Sequence, residues 1–341
     1  MVKYIIASSH PDAGLSNKLK CLISVLRLAD KLDRIPLLNW DLNFTCGADF
    51  NELFRMKINR ISQKRIKMLE KENKLKRCSS FEDCKTDKDF ILFDDWRFVL
   101  LPGEVKKEFA KVFPNKTGKS IDLEYERIPK KIVKSFLKYI KMFVPEKEIL
   151  ERVELFEKKY DLKDVIGLHV RRTEFLLNKD GRGFVSTDEK FFNRMNEILK
   201  KNRKTRFFLA TDSKKTEKNF IKKFGDRIII MKTKDWSKSS SQSIKDALVE
   251  MLILSKTKII LGTYLSSFTE MAWWFGKCNP KVEIIGDAEQ KRLVLQRAAA
   301  SPEIAKVNSG LIRDFLRFLR RKSWLFRKFL EFIMEYKVRN K

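Results

Sequence analysis

Histidine is almost missing from this chain, with 2 residues in 341, and no CxxC pair is present, so a structural zinc site is not expected. The five cysteines, Cys21, Cys46, Cys78, Cys84 and Cys278, are scattered and odd in number. That usage fits reduced cytosolic thiols better than a disulfide framework. No uncharged apolar run approaches the roughly 18–20 residues that cross a bilayer. The opening MVKYIIASSHPDAG carries neither a basic leader nor a small-residue cleavage site, so no signal peptide is expected. Gly (12) and Pro (8) are sparse and do not cluster, which argues against long disorder. A GxGxxG fingerprint is also missing, and with it the main support for a nicotinamide cofactor. The nearest approach to an acidic metal-binding pair is Asp94-Asp95, without a convincing context, so no metal is expected.

What the chain has is positive charge. Lys and Arg number 74 against 45 Asp and Glu, a net +29 that attracts phosphates, nucleic acids or anionic lipid surfaces without choosing among them. The charge is spread along the whole chain and accompanies no nucleic-acid-binding motif, so nucleic acid is not the expected partner. The length suits two domains.

Residues 3–8 (KYIIAS) form a short apolar run, HPDAG at 10–14 is turn chemistry, and Leu19, Leu22, Ile23, Leu26 and Ala29 recur at helical spacing. With an extended segment at 36–40 this reads as a βαβ unit. The stretch 51–162 is less regular: a polar, basic, helical segment at 59–77, partly extended sequence at 90–99, and two helices at 128–160 parted near Pro145. Beyond residue 164, strand-like runs at 165–170, 207–210, 228–231, 259–261 and 282–285 alternate with helical patterns at 188–201, 216–224, 244–255 and 268–275. Such alternation predicts parallel sheets covered by helices, with ligands bound beyond the carboxyl ends of the strands.

Four stretches occupy such strand ends. His169-Val170-Arg171-Arg172-Thr173-Glu174 follows a buried-looking strand; adjacent arginines there are either an ordinary surface pair or an anion site, whose forked donors suit phosphate. Gly14-Leu15-Ser16-Asn17-Lys18 is either a loop capped at Ser16 or Asn17, or a close backbone approach to a ligand. Asp212 and Ser213 follow a strand, and Ser266 and Ser267 open the last regular helix; each is a cap or a phosphate contact.

Taken together, GLSNK, HVRRTE, FFLATDS and EMLILSKTKIILGTYLSSFTEMAWW, in that order and spacing, resemble the GDP-fucose-dependent fucosyltransferases of the NodZ, α-1,6-fucosyltransferase and protein O-fucosyltransferase type. The resemblance covers the second half and about the first 50 residues; nothing matches at 51–162. It implies an α/β fold of GT-B type, two Rossmann-like domains facing across a cleft. The corresponding boundaries are an N-terminal, acceptor-side domain over 1–160, a nucleotide-sugar domain over 161–300, and a tail over 301–341. The resemblance also implies Arg171 on the donor's diphosphate, His169 near the nucleotide, and Glu250 on guanosine, where relatives usually carry Asp. Ser266 and Ser267 fall near the phosphates, Gly14 and Asn17 near the donor, and Asp212 and Ser213 along the nucleotide pocket, with Arg172 beside Arg171. A fixed arginine stabilises the diphosphate's growing charge as the sugar leaves, so no metal is required. Glu174, just beyond the arginines, is the first candidate for an acceptor base and Asp12 the second.

The tail at 311–341 carries ten basic and three acidic residues around apolar stripes that include Phe315, Leu319, Phe326 and Leu330. It reads as basic amphipathic helices, which either lie on an anionic membrane surface or pack on the protein itself. The first arrangement places the protein in the cytoplasm, at the inner face of the membrane, acting on a glycan or lipid-linked acceptor.

Overall fold

Ile5, Ile6 and Ala7 set the first sheet: an apolar triplet buried on both faces, as a central parallel strand must be. They lie in β1 (Tyr4–Ala7), followed by α1 (Leu15–Leu32), β2 (Ile35–Leu38), α2 (Gln63–Lys71), β3 (Leu75–Cys78) and β4 (Phe90–Phe93). The strand order is β2-β1-β4-β3, all parallel, with Ile6 opposite Leu37 on one side and Leu92 on the other. A computed structural model describes residues 2–95, 98–101, 104, 120–121, 128, 130–172, 184–237 and 239–290. The tail at 301–341, and with it the amphipathic stripe at 311–341, lies outside the described residues, as do Thr173 and Glu174.

The less regular middle contributes a short antiparallel pair, β5 (Phe98–Val99) with β6 (Ser120–Ile121), then α3 (Lys130–Ile140) and α4 (Lys147–Lys159), with Pro145 between these helices as expected. The expected helix at 59–77 is shorter. Ser62 caps α2 by accepting from the Arg65 N–H, and Leu75–Cys78 leaves the helix to pair with β4 as a strand. Cys78 and Cys84 are joined in a disulfide, their Cα atoms 5.5 Å apart, within bonding range. The reading of all five cysteines as free thiols therefore holds for Cys21, Cys46 and Cys278.

The second sheet follows the sequence pattern closely. Its elements are β7 (Val165–Val170), α5 (Asp188–Lys201), β8 (Arg206–Thr211), α6 (Lys214–Phe224), β9 (Ile228–Ile229), α7 (Ser241–Ser255), β10 (Ile259–Thr263), α8 (Ser267–Phe275) and β11 (Lys281–Ile285). The order β11-β10-β7-β8-β9 is again wholly parallel, with β7 central and buried along all six residues. All strand carboxyl ends therefore lie at one edge.

Residues 1–288 pack as one unit in which the largest apolar cluster takes residues from both sheets, beside a smaller cluster on each. Trp274 of α8 is its joint, with ring centroids 5.6 Å from Phe98 and 5.3 Å from Phe136. Contact at the junction is close enough that a Cβ on Gly47 would lie 2.0 Å from the Ser239 carbonyl oxygen, so no larger residue fits without backbone movement. Among the described residues, no helix is long and apolar enough to cross a membrane.

Candidate functional site

The carboxyl end of β7 delivers His169, Arg171 and Arg172. His169 is buried, and its Nδ1 shares a 2.7 Å hydrogen bond with the Thr269 hydroxyl in the first turn of α8. Its ring stacks on Phe268 at 4.6 Å. Burial, aided by the Arg171 charge, pushes the imidazole down to about 3, so it is neutral throughout the physiological range. Gly262 of β10 permits this approach of α8: a Cβ there would meet Thr269 Cγ2 at 2.6 Å.

The two arginines take different roles. Arg172 is buried and directs Nε and Nη2 to Asp188 Oδ1 at 2.9 and 2.5 Å, while Nη1 donates to the Arg171 carbonyl at 2.8 Å. Its guanidinium ties β7 to the start of α5. Arg171 keeps a quarter of its side chain exposed, and its Nε lies 3.2 Å from Asp212 Oδ2. Asp212 Oδ1 accepts the Arg172 backbone N–H at 2.8 Å, so one carboxylate at the end of β8 fixes both the strand end and the Arg171 guanidinium. Thr263, at the end of β10, accepts the Arg171 N–H at 3.0 Å and donates to the His169 carbonyl at 2.9 Å. Together these bonds hold three strand ends and leave Arg171 as the partly exposed cation between them.

The start of α8 meets the same strand end through the His169–Thr269 bond, and lies three residues beyond the Thr263 that holds the Arg171 N–H. Its N-cap residue, Ser266, is buried and makes no side-chain cap bond, so the N–H groups of the first turn lack that acceptor. Such an end carries partial positive charge and suits an anion. Ser213, by contrast, has its hydroxyl engaged as the cap of α6, accepting from the Thr216 N–H at 3.2 Å.

Glu250, on α7, is buried and pairs with Lys234 at 2.6 Å; burial pushes its carboxyl up to about 7 against the pull of Lys234. Lys234 also donates to the Thr211 carbonyl, and its ammonium lies 4.5 Å from the centre of the Trp236 ring. Through Lys234, Glu250 joins the strand end that carries Asp212.

On the facing side, Gly14 itself is the N-cap of α1, with φ −77° and ψ 175°, a conformation open to any residue. A Cβ there would meet only the Thr45 carbonyl oxygen, at 3.7 Å. The expected caps at Ser16 or Asn17 are therefore not used. Asn17 lies in the first turn, and its buried Oδ1 has no hydrogen-bond partner among the described residues. Three residues on, Lys20 forms a buried 2.5 Å ion pair with Glu270 of α8. That bond ties the second turn of α1 to the first turn of α8. Asp12 lies in the exposed loop before α1.

Sequence reasoning passed over Lys234, Asp188, Thr263 and Thr269. Thr263 and Thr269 carried a signal in standing at a strand end and a helix start; Lys234 and Asp188 were two charges among many. Among the described residues, no three His, Cys, Asp or Glu side chains converge to hold a metal ion.

No protein-family model matches the chain, and no curated protein matches it. Solved structures do. The fucosyltransferase NodZ from Bradyrhizobium superposes with a TM-score of 0.50 at 14% identity, over 80% of this chain and 92% of that one. NodZ α-1,6-fucosyltransferase soaked with GDP-fucose gives 0.50 at 14%, over 81% and 93%. A variant of Arabidopsis thaliana FUT1 in complex with GDP gives 0.52 at 16%, over 83% and 70%. At such identities the likeness is one of fold: the chain has the GT-B-type pairing of two parallel-sheet α/β halves shared with NodZ and FUT1.

Proposed function

We propose that this protein is a glycosyltransferase that moves fucose from GDP-fucose to a glycan hydroxyl without a divalent metal. The observation that carries the reading is the convergence, at the carboxyl edge of the second sheet, of Arg171 with the uncapped start of α8. A fold shared with a protein soaked with GDP-fucose supports the choice of donor.

In this reading the bond between the sugar's anomeric carbon and the diphosphate oxygen breaks while the acceptor oxygen bonds to that carbon. The departing diphosphate gains charge, which Arg171 meets with a guanidinium already oriented by Asp212, so little reorganisation is needed. The N–H groups of Ser267 and Phe268, with the Ser266 hydroxyl, take further phosphate oxygens. His169, neutral and held by Thr269, positions the nucleotide as a hydrogen-bonding group rather than as an acid. Arg172 acts by holding the strand end. Asp212 and Ser213 line the pocket, Glu250 with Lys234 faces the base, and Gly14 and Asn17 close on the donor from the other half. The acceptor's proton passes to a carboxylate, for which Glu174 is the first assignment and Asp12 the second. The halves divide as 1–160 for acceptor and 161–300 for donor. The basic tail at 311–341 holds the protein at the inner face of an anionic membrane, near a glycan or lipid-linked acceptor.

The test is a thermal-shift panel of GDP, UDP, ADP and their sugars. Binding to the native state raises stability by RT ln(1 + [L]/Kd), so GDP and GDP-fucose should give the largest shifts. A larger shift with UDP or ADP would replace the donor, and no shift with any of them would end the reading. Transfer should continue in excess EDTA; loss that Mn²⁺ or Mg²⁺ restores would overturn the metal-free mechanism.

A further inference from the structure

At the opposite edge of the second sheet from Arg171, a groove of about 810 Å³ opens between α3, the turn after α8 and the start of β11. Its floor is apolar: Ile128, Val133, Leu137, Trp273 and Val282. Around it stand five exposed lysines, Lys130, Lys134, Lys138, Lys141 and Lys281, and among the described lining residues there is no Asp or Glu. Lys130, Lys134, Lys138 and Lys141 recur along one face of α3 and its end, a row about 16 Å long at helical rise. Just past α3, the next residues after Lys141 include the apolar Met142 and Val144, each 44% exposed.

We propose that this face is a docking surface for an anionic phospholipid membrane, separate from the basic tail and independent of the proposed activity. The lysine row meets headgroup phosphates, while Met142, Val144 and the groove floor take acyl-chain surface, the division of labour of an interfacial amphipathic helix. Charge decides against other occupants. A second copy would set lysines against lysines in a molecule of net charge +29. A single-stranded nucleic acid uses aromatic faces to stack on, and among the described lining residues the one aromatic, Trp273, is 5% exposed. Docking here leaves uncovered the strand carboxyl ends that carry the candidate site.

The experiment is co-sedimentation of the full-length chain with vesicles of phosphatidylcholine alone, or of equal parts phosphatidylcholine and phosphatidylglycerol. Lys130→Glu/Lys134→Glu/Lys141→Glu is compared with a control of equal charge change on α6, Lys215→Glu/Lys218→Glu/Lys222→Glu. Lys138 is left intact because it pairs with Asp30 at 2.7 Å. The α3 variant should partition on the order of tenfold less, or weaker still, onto anionic vesicles than wild type and control, with an unchanged melting temperature. A polarity-sensitive fluorophore on Met142→Cys should shift to the blue with anionic vesicles only; Cys278, whose thiol burial raises to about 12, competes poorly for the label. Equal partitioning of the two charge variants would overturn the proposal. So would sedimentation without a shift at Met142, which would leave binding to the tail, or an equal shift with single-stranded RNA at matched phosphate.

Discussion

Arg171 and Arg172 are neighbours in sequence with opposite duties, and the difference is one of exposure. Replacing Arg171 by Ala removes a cation that bonds to Asp212 but does not fill the core. Turnover should fall roughly a hundred- to a thousandfold with the melting temperature nearly unchanged; wild-type turnover in a folded variant would refute the assignment. Asp212→Asn should cost about tenfold in kcat with little change in KM, since the amide still accepts the Arg172 N–H but no longer holds Arg171 ionically. In an Arg171→Ala background the same change should cost almost nothing more, because the two act as one unit; additive losses would separate them. His169 makes a statement about pH. Its folded-state value of about 3 lies below the 6.5 of an exposed imidazole, so below pH 6.5 the unfolded chain binds the proton more readily. Stability that His169 contributes at neutral pH is therefore lost as the pH falls from 6.5 towards 3. Urea unfolding of wild type and His169→Gln should show the gap between them narrowing by about 2 kcal/mol from neutral pH to pH 5. A gap constant with pH would mean the imidazole is not held neutral.

At the scale of elements, the second sheet was legible because its strands are short apolar runs and its helices carry clean polar–apolar periods. Thr187, Ser213 and Ser240 then cap α5, α6 and α7 by accepting from N–H groups three residues on. Helix α1 shows what such patterns leave out. Its apolar stripe was visible, yet Lys20 and Arg27 are buried as fully as the leucines. Their partners come from far along the chain: Glu270 for Lys20, and Glu104 with the face of Phe136, 3.7 Å away, for Arg27. Local spacing carries no trace of a partner 250 residues distant. The same reasoning explains the candidate site, where the strand-end residues were read from local sequence while Lys234 and Asp188 became visible through their contacts. The α1–α8 pair yields a prediction. Lys20→Met strips Glu270 of its buried cation and should cost about 3–5 kcal/mol, whereas Lys20→Met/Glu270→Leu should recover most of it. Chemical denaturation of the three proteins checks this, and a single variant as stable as wild type would show that the pair does not join the two helices.

Two α/β halves in one chain invite the expectation of two independent folding units, but the packing of residues 1–288 argues otherwise. The largest apolar cluster takes members from β1, α1, α3, α7 and α8 alike, and Trp40 of the first half shares it with Trp273 and Trp274 of the second. Neither half can expose its face of that core without exposing the other's. Ion pairs stitch the same boundary: Arg152 of α4 to Asp246 of α7 at 2.6 Å, and Lys245 of α7 to Glu148 of α4 at 3.1 Å. A molecule built this way should unfold in one cooperative step, with far-ultraviolet circular dichroism and tryptophan fluorescence giving coincident thermal transitions. Added GDP should move both signals upward together, even though the proposed donor contacts lie mostly in the second half, because binding to the native state stabilises whatever unfolds with it. Gly47→Ala, which forces a methyl against the Ser239 carbonyl, should lower the midpoint of both signals by the same amount. Two resolved transitions, only one of them moved by GDP, would show that the shared core is not what holds the halves together.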